Sequence, residues 1–147
     1  NLSKIGGVEY TAQEKEFADK IAVSLGQKKA DLDTAKNIQP YKTEARAFGS
    51  TDVGDVSFAV PTVGMGAATW VPGTPAHSWQ AVAAGGTTIG KKGMMVAAKT
   101  LTLTAIDFFT NPKLLVSAKS ELINQRGSNF TYKSLLGERD PPLDYRK

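Results

Sequence analysis

The chain has 147 residues, 41% hydrophobic and 22% charged, enough for one domain with a packed core and ordinary for a globular protein. Its net charge of +4 comes from bases interleaved with acids: Lys28 and Lys29 precede Asp31 and Asp33, and Arg139 sits between Glu138 and Asp140. A nucleic-acid footprint would gather its bases on one face beside aromatic platforms, so that class of partner is excluded, and the lack of cysteine excludes disulfides and thiolate metal sites.

Residues 1–9, with Gly6-Gly7, read as a lead-in loop. No charged-then-apolar leader precedes the fold and the chain opens on Asn1, so the expected compartment is the cytoplasm and the chain is expected to be a processed or excised piece. Thr11-Ala12-Gln13-Glu14 has capping-box spacing, and Phe17, Ala18, Ile21, Ala22 and Leu25 follow at helical intervals, which predicts a helix from Ala12 to Leu25 closed by Gly26. From 27 to 48 the sequence is polar, holds Pro40 and has weak periodicity, as expected of an exposed excursion or of a segment lying against absent structure.

Ser50 and Thr51 are good caps for a short helical turn over Asp52 to Ser57, which must end before Pro61. Ala67 to Val71 is half apolar and bounded by Gly64, Gly66 and Pro72-Gly73, which predicts a strand, with His77 in the loop that leaves it. Gly85-Gly86-Thr87-Thr88 predicts a turn. A helix from Thr88 to Phe109 follows, with Met94, Ala97, Ala98, Leu101, Ala105, Ile106 and Phe109 as its apolar face and Gly90 and Gly93 marking a close backbone approach. Lys99 and Asp107 interrupt its apolar run, so it is a core helix rather than a membrane span. Asn111-Pro112 starts another helix, striped by Leu114, Leu115, Ala118 and Leu122 and stopped by Gly127, and 128–147 is a polar tail.

Gly85-Gly86-Thr87-Thr88-Ile89-Gly90-Lys91 fits seven places of the phosphate-binding P-loop, but the eighth, which needs a hydroxyl for magnesium, is Lys92. A tight turn into a close-packed helix is the preferred reading. His77 is the single histidine, and no second histidine stands at a ligand spacing, so the chain holds no self-contained zinc site. No Gly-x-Ser-x-Gly elbow supports a serine hydrolase. His77 and the two carboxylates Asp52 and Asp55 are the residues around which a site could form.

Gly49-Ser50-Thr51-Asp52-Val53-Gly54-Asp55-Val56-Ser57, taken with Gly73-Thr74-Pro75-Ala76-His77-Ser78-Trp79-Gln80 and Lys91-Lys92-Gly93-Met94, resembles the C-terminal part of the aminobenzoyl-glutamate hydrolases. These belong to the metallopeptidase (amidohydrolase) family of aminoacylases and hippurate hydrolases. The resemblance spans most of the chain and implies an α/β fold, a mixed sheet flanked by helices, within a zinc-exopeptidase-like catalytic domain. Residues 1–147 would form its C-terminal segment, after an inserted domain that dimerises. It implies metal-dependent hydrolysis of an amide bond to glutamate, in p-aminobenzoyl-glutamate or a similar dipeptide-like substrate, a step of folate catabolism. His77 would be one ligand to zinc or manganese, with Asp52 and Asp55 behind it to orient the site. The other ligands and the general base would lie in a missing N-terminal half, leaving this chain inactive alone and expected in a homo- or hetero-oligomer. The alternative is a non-catalytic α/β interaction module that uses 27–48 and the Gly85 to Gly93 turn as its face.

Overall fold

In the computed structural model, which describes residues 1–42 and 51–144, the elements in chain order are α1 (Leu2–Ile5), α2 (Ala12–Ser24), a 3-10 turn (Leu32–Lys36), α3 (Val53–Ala59), α4 (Trp79–Gly85), α5 (Thr88–Thr110) and α6 (Pro112–Arg126). They fall into two compact units, whose described parts are 1–42 with 64–110 and 51–63 with 111–144.

In the first unit α2 begins on the capping box that its sequence specifies. The Thr11 hydroxyl accepts the Glu14 amide at 3.2 Å and the Glu14 carboxylate accepts the Thr11 amide at 2.6 Å, which satisfies two of the donors a helix start leaves orphaned. Gly26, at φ +76°, ends the helix in the left-handed region. Ala18 and Ile21 of α2 meet Leu32, Val71, Ala84 and Ile89 to form the core. Among the described residues Ile89 and Val71 are the most completely buried of the larger side chains, and each contributes about 2 kcal/mol. The described part of the polar excursion lies against α2 and does not stand free. The Ala30 amide donates to Asp19 at 3.0 Å, the Lys15 ammonium meets Asp33 at 3.0 Å, and Leu32 is buried.

The α/β expectation is overturned: among the described residues every regular element is helical and there is no strand or sheet. The predicted strand at Ala67 to Val71 is extended chain without a ladder. A strand is stable only when a neighbour takes its amides and carbonyls, and among the described residues no second strand lies beside it to do so. The segment is held by packing instead. Val71 is 1% exposed in the core, the Tyr10 hydroxyl reaches the Ala68 carbonyl at 3.5 Å, and the carbonyl of Ala68 lies so close to α5 that a Cβ at Gly93 would overlap it. Gly90 has the same role against the backbone of Gly85, so both glycines mark the close approach that the sequence predicts.

That approach also decides which face of α5 is covered. The buried positions are Ile89, Gly90, Gly93 and Thr100, whereas Met94, Leu101, Ile106 and Phe109 of the expected core face are exposed, Phe109 by 88%. The side with the smallest residues is the side other chain can reach. Asn1 fixes α1 to the far end of α5 by donating to Asp107 at 2.7 Å and Thr104 at 3.1 Å, so part of the predicted lead-in loop is a helical turn.

In the second unit Thr51 accepts the Val53 amide at 3.3 Å to open α3, and the tail returns to it: Phe130 stacks on Phe58 at 5.7 Å while the Arg126 guanidinium lies 5.6 Å from the Phe130 ring. Helix α6 follows the predicted Asn111-Pro112 start and Gly127 stop, but it buries none of its residues, and Leu114, Leu115 and Val116 face outward. Among the described residues no helix is long and apolar enough to cross a membrane.

Candidate functional site

His77 is presented by a closed turn. Val71 anchors the start of the segment in the core, and the Thr74 amide donates back to its carbonyl at 3.1 Å. Ser78 fixes the other end: its hydroxyl donates to the Pro75 carbonyl at 2.7 Å and accepts the Ala81 amide at 3.2 Å, capping α4. Between these ties His77 adopts φ +60°, the one left-handed non-glycine residue among those described, with its side chain exposed. A left-handed backbone costs a residue with a Cβ about 1 kcal/mol, and such strain persists where the surrounding structure imposes it. The Thr74 hydroxyl, three residues away, is buried and has no hydrogen-bond partner.

If the strain at His77 is paid for by what the imidazole does, stability should not need the histidine. His77→Gly is expected to leave the melting temperature unchanged or raise it by a few degrees, since glycine removes the left-handed penalty but adds freedom to the unfolded chain. A clear drop in a thermal melt would show that the side chain is structural.

Asp52 and Asp55 belong to the second unit and His77 to the first. Asp52 precedes α3, where its carbonyl accepts the Val56 amide at 3.3 Å and its side chain accepts the Thr51 hydroxyl at 3.5 Å. Asp55 accepts the Tyr132 phenol at 2.7 Å, a bond that pushes the Tyr132 ionisation up. Gly49 and Ser50 of the same motif lie outside the described residues. Among those described, no three histidine, cysteine or carboxylate side chains gather as a metal site.

A polar cluster that no sequence motif assembles joins the capping box to the P-loop look-alike. The Lys92 ammonium lies 2.6 Å from the Glu14 carboxylate, donates to the Glu9 carbonyl at 2.9 Å and sits 5.5 Å from the Tyr10 ring centre. Burial alone would raise the Glu14 carboxyl, but Lys92, the Thr88 hydroxyl and the Thr11 amide hold it down to about 2. Burial, reinforced by Glu14, pushes Tyr10 up. The first turn of α5 therefore already holds an anion from its own chain, and the lysine in the place of a magnesium-binding hydroxyl serves that carboxylate. Glu14 and Lys92 each carry a local signal, a cap and a failed motif, but nothing in the sequence joins them.

The chain is 40% identical over 88 residues to a p-aminobenzoyl-glutamate hydrolase subunit of Escherichia coli (strain K12), a match over 59% of the chain and 18% of the relative. The resemblance read from the motifs holds. The chain thus spans less than a fifth of the length of the curated relative it matches. No family model matches it, and no solved structure does.

Proposed function

We propose that this chain is the C-terminal portion of a longer, cytoplasmic, metal-dependent hydrolase that cleaves an amide bond to glutamate, in p-aminobenzoyl-glutamate or a similar acyl-amino acid. Its contribution to the site is His77, a ligand for zinc or manganese, with Asp52 and Asp55 as the acids that orient the site. The 40% identity to one of the chains of a hydrolase carries this reading. The tied turn that holds an exposed imidazole in a strained backbone agrees with it, because ligands are often held that way.

The described residues do not fit a whole metal site. One imidazole supplies one nitrogen, whereas a zinc site takes three or four protein ligands, and no cluster of three is present among the described residues. The remaining ligands and the general base belong, on this proposal, to the rest of the longer protein or to a partner chain, and the chain by itself is inactive. The exposed apolar residues of α5 and α6 support incompleteness. The interaction-module alternative is less well served, since Ile89, Gly90 and Gly93 of its proposed face are buried.

The test is His77→Ala in the longer protein, read by metal content and by release of glutamate from p-aminobenzoyl-glutamate. Loss of most bound metal and of turnover by at least about a hundredfold is expected. Undiminished metal stoichiometry and turnover, or full hydrolysis by the present chain alone, would sink the proposal.

A further inference from the structure

Opposite its covered side, α5 carries an uncovered row. Met94, Ala98, Leu101, Ala105 and Phe108 recur at intervals of four and three, which stacks them along one face about 21 Å long. All five are exposed, Leu101 by 60%, and Met95, Ile106 and Phe109 widen the row on one side. Large and small side chains alternate along it, so a partner surface can interdigitate over Ala98 and Ala105. A contiguous apolar strip of this kind marks a docking surface, whereas single exposed apolar residues do not.

Charge says what covers it. Lys91 and Lys99 flank the row with Met95 between them, and both are exposed without an ion pair among the described residues. The one carboxylate of α5 is Asp107, which lies on the covered side in line with Gly93, Thr100 and Thr104 and accepts the Asn1 side-chain amide at 2.7 Å. A second copy laid α5 against α5 would therefore bring lysines and no free acid to the rim, and like charges facing one another are costly. More than four fifths of the relative's length lies outside its match to this chain, ample to supply a different cover. We infer that this row docks on the portion of the longer protein that precedes the present chain, against an apolar surface whose edge carries carboxylates opposite Lys91 and Lys99. The inference rests on the reading of this chain as the C-terminal portion of a longer protein, and on neither His77 nor a metal.

The chain has no cysteine, so a thiol introduced into it is unique within it. Leu101→Cys and Ala98→Cys are compared with Lys20→Cys on α2, where the native side chain is 73% exposed, by the rate at which iodoacetamide labels each peptide, read by mass spectrometry. The two α5 thiols should label at least about tenfold more slowly in the longer protein than in the present chain, because a covered group reacts only when its contact opens, and Lys20→Cys should label equally in both. Unslowed α5 thiols, or a Lys20→Cys slowed as much as they are, overturn the docking face. Slowing within the present chain alone that grows with its concentration also overturns it, since the occupant is then a second copy. Reversing both charges, Lys91→Glu with Lys99→Glu, should speed the labelling of Leu101→Cys about fivefold in the longer protein, and an unchanged rate overturns the acidic edge. A longer protein that covers Leu101→Cys but binds no metal and cleaves no amide keeps this inference and loses the proposed hydrolase. One that hydrolyses its substrate while Leu101→Cys labels freely does the reverse.

Discussion

Gly93→Ala is expected to destabilise the chain by about 2 kcal/mol, even though alanine is the better helix former. In an open helix the exchange would gain up to about 1 kcal/mol. At Gly93 the new methyl would overlap the Ala68 carbonyl and the Thr69 side chain, and the obstacle is backbone rather than a side chain that can turn aside. Relief requires moving the extended segment off α5. That would loosen Val71, one of the two largest fully buried side chains among the described residues, and the loss would be felt through much of a small core. Gly54→Ala is the control, because in α3 a Cβ meets nothing within 4 Å, and a small gain is expected there. A melt followed by far-ultraviolet circular dichroism should place Gly93→Ala roughly 5 °C below the parent and Gly54→Ala at or slightly above it. If Gly93→Ala melts as high as Gly54→Ala, the close contact between α5 and the extended segment does not hold the fold.

The same contact explains what the sequence could and could not show. Elements that are specified locally are where the residues place them: the capping box at Thr11 and Glu14, Gly26 after α2, and Asn111-Pro112 before α6 with Gly127 after it. These signals act within one helical turn. The strand predicted at Ala67 to Val71 rests on a half-apolar run between Gly and Pro breakers, which shows only that the segment is partly buried. It says nothing of whether a neighbouring strand or a helix groove does the burying, and here Gly93 provides the groove. The covered face of α5 differs from the predicted one for a related reason. Hydrophobicity marks what should be covered, but coverage follows what the rest of this chain can reach, and it reaches the glycine side. The helices α1 and α4 are too short for periodicity to show, though Ser78 is a visible cap for α4. For the proposed site, His77 is singled out by its motif alone. Its left-handed backbone has no sequence signal of the kind glycine gives. The Glu14–Lys92 pair spans 78 residues of chain, beyond any local pattern.

Glu14→Gln should be the second large effect, and pH should reveal it. Glutamine can still accept the Thr11 amide, so the cap survives while the charge opposite Lys92 is lost; at neutral pH a cost of about 1–2 kcal/mol is expected for this partly solvated pair. The Glu14 carboxyl titrates near 2 in the folded chain against 4.5 ordinarily. A depressed pKa means the unfolded chain takes up the proton first. The stability that Glu14 contributes is therefore full above about 4.5 and drains away as pH falls towards 2. Glu16 and Asp33, lowered by their surface lysines, fall in the same acid range, so the parent curve alone does not isolate Glu14. The difference between parent and Glu14→Gln does. It should be flat from neutrality to about pH 5, narrow below that, and close near pH 2, whereas a gap that persists at pH 2 would mean the variant damaged packing and not charge. Lys92→Met should move the narrowing to higher pH, because the strongest bond holding the carboxyl down is gone while burial still pushes it up. The double variant should cost less than the sum of the two, by about 1 kcal/mol, since each single change strands the partner of the other. Strict additivity would leave the two residues as neighbours without a shared interaction, and the first turn of α5 would need another account of why a lysine stands where the motif requires a hydroxyl.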